Sequence, residues 1–403
     1  MDIGFGEALL IVGGLLWVTA ALSGLMRGTV LSASVLSILL GIVLASTDVI
    51  AVDIRDEGVL ELISLALILT LISDGLVVDR ELLTGHWGPA ARALIVAMPV
   101  TMALIALATK LLFSELSWAE AFLLGAVLAP TDPVVTSTVV TARKVPASIR
   151  HTLNLESGLN DGLALPFVLF FIVLASAGDA GSEALELLGE AAFGAALGVA
   201  LGIAGGRLHH SLPGGGIAGR YEGIYAIGVG LSAYGLADVT FGNGLIAAFV
   251  AAIALGYAEQ EITERFADFS ENVSTIFQVL TFFVFGAVIV GLGYADSVVA
   301  LVAFIAFALL AARPLAVMGS LAGAGGPQAY KWFIAWFGPK GVASMLFALF
   351  VLESSVDEAA LIFNVAAFTI VASILIHGLT DTVGAAWIDR RRSGEEPTWD
   401  SLG

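Results

Sequence analysis

Five polar side chains fall within eight positions of one otherwise apolar stretch: Asn154, Glu156, Ser157, Asn160 and Asp161. Spacings of three and four residues place Ser157, Asn160 and Asp161 on one face of a helix, whereas Glu156 is offset from Ser157 by about 100°. A carboxylate beside hydroxyl and amide oxygens suits a small hard cation. The same buried carboxylate can take a proton instead, because a low dielectric disfavours its charged form. One side chain that holds either ion, but never both together, is sufficient for ion exchange.

Two further apolar stretches are interrupted by residues that break helices. In one, Pro130 and Pro133 flank Asp132; in the other, the glycines and proline of Gly338–Gly341 surround Lys340. Each proline removes a backbone donor and clashes with the preceding turn. Unwound backbone at membrane depth is tolerated only where it lines a cavity or is buried in protein. One interrupted helix in each half of a chain is typical of a transporter site between inverted repeats.

Charges within apolar stretches need a reason, because an ionisable side chain at the bilayer centre costs about 2.5–3.5 kcal/mol on insertion. Six such residues are Asp74, Asp132, Glu156, Asp161, Arg313 and Lys340. A broken helix presents a positive N-terminus and a negative C-terminus. If the two broken helices cross, we expect Asp132 to neutralise the paired positive ends and Lys340 the paired negative ends. Asp132 can also contact an ion.

The composition predicts that helices spanning a bilayer position these residues. Of 403 residues, 58% are hydrophobic and 13% charged, against about 25% charged in soluble proteins. The net charge of −18 argues against nucleic acid as a partner. Apolar stretches of about 20 residues, enough to cross a bilayer, are predicted at 5–24, 29–46, 58–77, 89–112, 118–141, 150–176, 184–206, 222–238, 240–258, 267–292, 297–319, 330–353 and 357–386. The fold class is therefore an all-α polytopic membrane protein with about 13 transmembrane helices, of which spans 5 and 12 are broken and cross.

The basic residues predict the orientation. Connections after odd-numbered spans, with their flanks, hold 13 of the 17 Lys and Arg residues, and those after even-numbered spans hold 2. Because cytoplasmic connections are enriched in Lys and Arg, we expect a multi-pass protein of the cell membrane with its N-terminus outside and its C-terminus cytoplasmic. Residues 1–403 form one transporter domain in this interpretation, with halves at 1–208 and 221–386 and a tail at 387–403.

Five segments together resemble the NhaP-type sodium/proton antiporters, the branch of the cation/proton antiporters that includes the eukaryotic sodium/proton exchangers. The two most specific are LAPTDPVV at 128–135 and NLESGLNDGLALP at 154–166. ALILTLISDGLVVD resembles the third span of the family, FGNGLIAAFVAAIALG the ninth, and SENVSTIFQVLTFFVFGAVI the tenth. The resemblance implies a secondary active antiporter that exchanges a monovalent cation, foremost Na⁺, for H⁺ by alternating access. It also implies a homodimer.

The resemblance assigns roles to individual residues. Asp161 corresponds to the essential carboxylate that binds the ion or the proton. Asp132, Thr131 and Ser157 correspond to further ligands, so that Na⁺ is held by Asp132, Asp161, Ser157 and Thr131. Asp74 stands where an additional carboxylate is common in the family.

Three more assignments follow from the resemblance. Glu156 with Arg313 resembles a buried ion pair that holds the transport bundle together. Asn160, directly before Asp161, implies electroneutral exchange. Lys340 stands where the family usually has arginine, and lysine gives up its proton more readily than a guanidinium, so the stoichiometry rests mainly on Asn160.

Three alternative functions share some of these sequence features. A K⁺/H⁺ antiporter of the same fold, with Li⁺ as a further possible cation, remains an alternative because oxygen ligands alone do not select the ion. A cation channel is disfavoured because no carbonyl-filter sequence is present. An intramembrane aspartyl protease would need two membrane Asp residues, and its glycine–aspartate signature is matched only loosely before Asp296, in an outer loop. We therefore expect no enzyme activity and no cofactor; the partners are Na⁺, Li⁺ or K⁺, with H⁺ and the lipid bilayer.

Overall fold

The structure is a computed structural model that describes residues 5–26, 33–50, 52, 56–77, 87–132, 144–176, 180–211, 217, 221–258, 260–291 and 297–391. Its helices are α1 (Phe5–Met26), α2 (Ala33–Ser46), α3 (Glu57–Val77), α4 (Gly88–Leu112), α5 (Trp118–Val127), α6 (Ala147–Ala175), α7 (Ala180–Ser211), α8 (Glu222–Asp238), α9 (Gly244–Ala258), α10 (Gln260–Gly291), α11 (Val298–Ser320), α12 (Gln328–Trp336), α13 (Val342–Glu353) and α14 (Ala359–Asp389). Within the described ranges every regular element is helical. The all-helical membrane fold is confirmed.

Each predicted span overlaps at least one of these helices. Among the described residues, six helices are long and apolar enough to cross a membrane by themselves, and α1, α2, α5, α9, α10 and α13 contain shorter apolar helical stretches. The number of 13 spans stays a prediction, as does the division into two halves. Residues 212–216 and 218–220 between the predicted halves, the stretch 133–143 and residues 392–403 of the tail lie outside the described residues.

The helices pack in two groups. In the first, which we call the bundle, α4, α5, α6 and α11–α14 contact one another; in the second, the scaffold, α2, α3 and α7–α10 do so, and α1 lies against α2 and α10. The groups meet where α6 contacts α3, α7 and α9, and where α13 contacts α3 and α10. Both broken spans therefore belong to the bundle.

Two bundle helices contain the same irregularity. α4 has a π-helical turn at Ala93–Ala97 shortly before Pro99, and α11 has one at Ala308–Ala312 shortly before Pro314. Proline cannot donate to the preceding turn, and a widened turn is a common way for a helix to accommodate such a break. In α4 the Thr101 hydroxyl donates to the Ala97 carbonyl oxygen (2.7 Å). The shared geometry is consistent with two related halves.

The scaffold is held by close backbone packing between α7 and α9. Four glycines spaced by four residues line α7 at this contact: Gly194, Gly198, Gly202 and Gly206. A Cβ added at Gly202 would lie 2.5 Å from the Ala251 carbonyl oxygen and 2.6 Å from the Ala254 Cβ. Small residues let helices approach this closely in a bilayer, where packing replaces the hydrophobic effect as the driving force. We call this contact the glycine seam.

Candidate functional site

The site is built around the end of α5. This helix begins with a capping box, in which the Glu120 backbone donates to the Ser117 hydroxyl and the Glu120 carboxylate accepts from the Ser117 N–H. It ends at Val127, just before Pro130, and the chain continues without regular structure to Asp132. Pro130 thus ends the helix on the N-terminal side of the predicted break; Pro133 lies outside the described residues.

The second interruption crosses the first. α12 ends at Trp336 and α13 begins at Val342, as the glycines and proline between them predicted. The Asp132 N–H donates to the Pro339 carbonyl oxygen (2.8 Å), which joins the two unwound segments directly. A Cβ on Gly341 would collide with the Asp132 side chain, so this approach requires glycine.

Each unwound segment supplies a charge to the end of the other helix. The Asp132 Oδ2 accepts from the Val342 N–H at the N-terminus of α13 (3.3 Å). The Lys340 Nζ donates to the carbonyl oxygens of Ala129 (3.4 Å) and Pro130 (3.2 Å), just beyond the C-terminus of α5. Opposite charges at helix ends are stabilising, and these contacts follow the predicted pattern at one positive and one negative end.

The prediction that Lys340 serves both negative ends is not matched by its hydrogen bonds. At the end of α12, the Ile334 carbonyl oxygen accepts from Arg313 Nη2 (3.4 Å) and the Trp336 carbonyl oxygen from His377 Nε2 (3.0 Å). The Lys340 amine does not bind these carbonyl oxygens because it is extended toward the end of α5. The second positive end, after Pro133, lies outside the described residues.

α6 lies against Thr131 through the face predicted from its spacing. The Ser157 hydroxyl donates to the Thr131 carbonyl oxygen (2.5 Å), and the Asn160 Nδ2 donates to the Thr131 hydroxyl (2.7 Å). Asp161 is buried one position beyond Asn160. The Asp161 carboxyl group lies close enough to those of Asp74 and Asp132 for negative charges on them to repel one another.

Asp74 reaches this cluster from the scaffold. Its side chain forms a hydrogen bond with that of Asp161, which joins α3 to α6 across the interface between the two helix groups. Three buried oxygens here have no hydrogen-bond partner among the described residues: Asp74 Oδ2, Asn160 Oδ1 and Asp161 Oδ1. Unpaired buried oxygens are costly, and oxygens of this kind are the ligands that hard cations prefer.

Glu156 points away from this cluster and pairs with Arg313. The guanidinium binds the carboxylate through two bonds, Nη1 to Oε1 (2.7 Å) and Nη2 to Oε2 (3.1 Å). It lies against Gly338, where an added Cβ would overlap the guanidinium. The pair thus connects α6 and α11 to the unwound segment of the twelfth span.

The nine predicted residues therefore separate into three places. Thr131, Asp132, Ser157, Asn160, Asp161 and Asp74 converge; Glu156 and Arg313 form a separate pair; and Lys340 lies at the crossing, 2% exposed. Sequence reasoning missed Ser373 and His377 of α14, which contact the segment around Lys340. The signal for His377 was present, since a histidine within an apolar span is also an intramembrane ionisable residue.

Comparison with known families gives one extended match. Residues 14–384 match the model of the family described as "Sodium/hydrogen exchanger, transmembrane".

Two curated relatives are K⁺/H⁺ antiporters by name. NhaP of Alkalimonas amylolytica is 24% identical over 329 residues, which cover 81% of this chain and 57% of the relative. NhaP2 of Shewanella oneidensis is 27% identical over 279 residues, 67% of this chain and 48% of the relative. The chain thus spans about half the length of the curated relatives it matches.

Among solved structures, the sodium proton antiporter MjNhaP1 of Methanocaldococcus jannaschii has a similar fold. One structure, at pH 8, has a TM-score of 0.75 and 18% sequence identity and covers 94% of this chain and 96% of its own. Another, from electron microscopy, has a TM-score of 0.81 with 97% and 100% coverage. At this identity the similarity shows the fold.

Proposed function

The chain belongs to the family of transmembrane sodium/hydrogen exchangers, and on this basis we propose that it is a secondary active antiporter. It exchanges Na⁺ for H⁺ across the membrane by alternating access. Asp161 carries the ion or the proton, and the Na⁺ ligands are Asp132, Asp161, Ser157 and Thr131. Family membership supports the reaction class, and the geometry of α6 supports the assignment of the residues.

One observation carries this proposal: three buried oxygens of the cluster, one of them on the Asp161 carboxylate itself, have no hydrogen-bond partner among the described residues. Asp74 Oδ2, Asn160 Oδ1 and Asp161 Oδ1 lack a donor among the described residues, although burial without a partner is unfavourable. A cation bound at Asp161 would satisfy the Oδ1 atom of that carboxylate, and a proton on the same carboxyl group would satisfy it in the other half of the cycle. Competition between the two ions for Asp161 then couples their transport.

The position of the site between the two helix groups supports alternating access. Asp74 belongs to the scaffold and Asp161 to the bundle, and their hydrogen bond crosses the boundary. We infer that the bundle moves against the scaffold with the ion, while the Glu156–Arg313 pair keeps α6 and α11 together. Asn160 is neutral and already donates to Thr131, which supports exchange of one cation for one proton.

The arrangement in the cell follows from the basic residues. We propose that the protein lies in the cell membrane with its N-terminus outside and its C-terminus in the cytoplasm. Arg92 and Arg150, on the proposed cytoplasmic side, donate to the carbonyl oxygens of Ala322 and Val145 (3.3 and 3.2 Å). The homodimer that the family resemblance implies remains part of this proposal.

The test of the reaction is the substitution Asp161→Asn. Asparagine keeps the size of the side chain but can neither ionise nor take the transported proton. In everted vesicles we expect Na⁺-dependent dequenching of a pH-sensitive dye for the natural chain and none for the variant. Asp357→Asn is the matched control, because Asp357 is exposed beyond α13, and it should exchange normally. Full exchange by a folded Asp161→Asn protein would contradict the assignment.

K⁺ is the second candidate cation, because the two relatives compared above are K⁺/H⁺ antiporters by name. Cavity size and the flexibility of the oxygen ligands select among monovalent cations. Titration of Na⁺, Li⁺ and K⁺ in proteoliposomes at several pH values distinguishes the candidates. A lower half-saturating concentration for K⁺ than for Na⁺ would assign the protein as a K⁺/H⁺ antiporter and leave the role of Asp161 unchanged.

A further inference from the structure

α14 contacts the unwound segment of the twelfth span and the helix end that precedes it. Within the unwound segment, the Ser373 hydroxyl accepts from the Lys340 N–H (2.9 Å). Before the break, His377 Nε2 lies 3.0 Å from the Trp336 carbonyl oxygen. The Trp336 indole N–H in turn donates to the Thr380 hydroxyl (3.1 Å). The three α14 residues are spaced by four and three positions, so they form one stripe along the helix.

The hydrogen bonds of His377 determine what this side chain contributes. Nε2 faces a carbonyl oxygen, which can only accept, so Nε2 carries a proton and donates. Nδ1 lies 3.1 Å from the Ser373 hydroxyl and 2.8 Å from the Ser373 carbonyl oxygen, so it has a partner whether it accepts or donates. The ring also lies against the Trp336 indole, with centroids 5.4 Å apart. The contact therefore requires an N–H group at this place, and a charge is not needed.

The segment held in this way supplies two of the contacts of Asp132. The Pro339 carbonyl oxygen accepts from the Asp132 N–H (2.8 Å), and the Val342 N–H donates to the Asp132 carboxylate (3.3 Å). A shift of the segment relative to α14 would therefore turn the Asp132 carboxylate. Because Asp132 is a proposed cation ligand, such a shift would change how the cation is bound.

We propose that His377 and Ser373 are positioning residues for the ion site: through their contacts with Trp336 and Lys340 they hold the segment 337–341 in place and thereby orient Asp132. Neither residue contacts the ion in this arrangement. They act through the backbone of Trp336 and Lys340. The expected effect on Na⁺ transport rests on the proposed antiport, whereas the expected effect on the structure of the segment does not.

The experiment compares His377→Leu, which has no donor, with His377→Gln, whose amide retains an N–H. Ser373→Ala is a second variant with a small change in volume, in case His377→Leu does not fold. His151→Leu is the matched control, because His151 is exposed near the start of α6. Two quantities are measured: the apparent KM for Na⁺ in proteoliposomes, and deuterium uptake by peptides covering 337–345 in the purified protein.

For His377→Leu and Ser373→Ala we expect the apparent KM to rise about fivefold to tenfold, as the loss of one or two neutral hydrogen bonds implies. Deuterium uptake by peptides covering 337–345 should be faster in both variants than in the natural chain. His377→Gln and His151→Leu should stay within about twofold of the natural chain in KM. A residue that served only folding would lower the amount of active protein, and hence the maximal rate, without changing KM.

Each outcome decides the proposal. Unchanged deuterium uptake in folded His377→Leu and Ser373→Ala would show that these residues do not hold the segment. Faster uptake with an unchanged KM would overturn the positioning role. A loss in His377→Gln equal to that in His377→Leu would also overturn it, since the N–H alone would then be insufficient. Absence of exchange by the natural chain would overturn the proposed antiport instead. Deuterium uptake would still show whether His377 and Ser373 hold the segment in place.

Discussion

The crossing in the bundle and the glycine seam in the scaffold are both places where backbones approach closely, but they are stabilised in opposite ways. At the crossing, Asp132 and Lys340 bind main-chain groups that the broken helices leave without partners. At the seam, the glycines of α7 have no side chains, so the backbone of α7 meets α9 directly. Hydrogen bonds at a crossing can be exchanged for an ion or a proton, whereas packed backbone cannot. The difference indicates why the proposed ion site is built around the crossing and not around the seam.

The largest effect should come from removing one partner of the buried ion pair. Arg313→Ala leaves Glu156 buried without a counter-charge, and breaking such a pair costs about 3–5 kcal/mol. We expect a large drop in thermal stability in detergent and a smaller change in cation affinity, since Glu156 faces away from Asp161.

The double variant Arg313→Met with Glu156→Leu separates charge from packing. Replacing both partners by apolar side chains is often nearly neutral, so we expect it to recover most of the lost stability. A double variant as unstable as Arg313→Ala would show that the unpaired charge is not the cause, and that this pair stabilises the bundle through packing, as the seam stabilises the scaffold.

An intermediate effect should follow from filling the seam. Gly202→Ala places a methyl group 2.5 Å from the Ala251 carbonyl oxygen, and overpacking of this kind costs about 1–3 kcal/mol. The matched control is Gly235→Ala in α8, where an added Cβ meets no atom within 4 Å. There alanine should be neutral or stabilising, because it favours the helix by up to about 1 kcal/mol. Thermal unfolding distinguishes the two; equal midpoints would contradict the seam.

The smallest effect should come from a polar contact in the bundle far from the crossing. The Glu120 carboxylate accepts from the N–H groups of Ser117 (2.7 Å) and Glu358 (3.2 Å) and so joins the beginnings of α5 and α14. Glu120→Ala should cost about 1 kcal/mol of stability, as the loss of a cap does. Glu120→Gln keeps one acceptor oxygen, so it should lose only about half as much stability as Glu120→Ala. A change in KM for Na⁺ in either variant would show that the ends of the bundle are coupled to the site.

The predictable parts of the molecule are those that local sequence specifies. Pro130 ends α5, and the glycines and proline of Gly338–Gly341 separate α12 from α13, because these residues act on their own turn. The spacing of Ser157 and Asn160 predicts one helix face, and both donate to Thr131. The assignment of Glu156 to Arg313 came from the family resemblance, with the helical offset of Glu156 in agreement.

The remaining parts depend on contacts between distant segments. Which carbonyl oxygens Lys340 reaches is set by the angle at which the segments cross, and no pattern in the sequence encodes that angle. The sequence shows a glycine at every fourth residue of the seam, but it does not show that these glycines pack against α9. Ser373 belongs to no sequence motif, and although His377 stands out as an ionisable residue within an apolar span, only the contacts of these two residues show that they bind the twelfth span.

The reciprocal contacts of Asp132 have a consequence for biosynthesis. Its bond to Val342 joins residues 210 positions apart, which the ribosome separates by about 10–40 s at 5–20 residues per second. During that interval the fifth span holds a carboxylate whose final partner has not been synthesised, while an unpaired charge in a bilayer is strongly disfavoured. Until the twelfth span arrives, this carboxyl group must therefore hold a proton or stay in contact with water or with the insertion machinery. Assembly of the proposed ion site is in this sense a late event, completed only when the twelfth span is in the membrane.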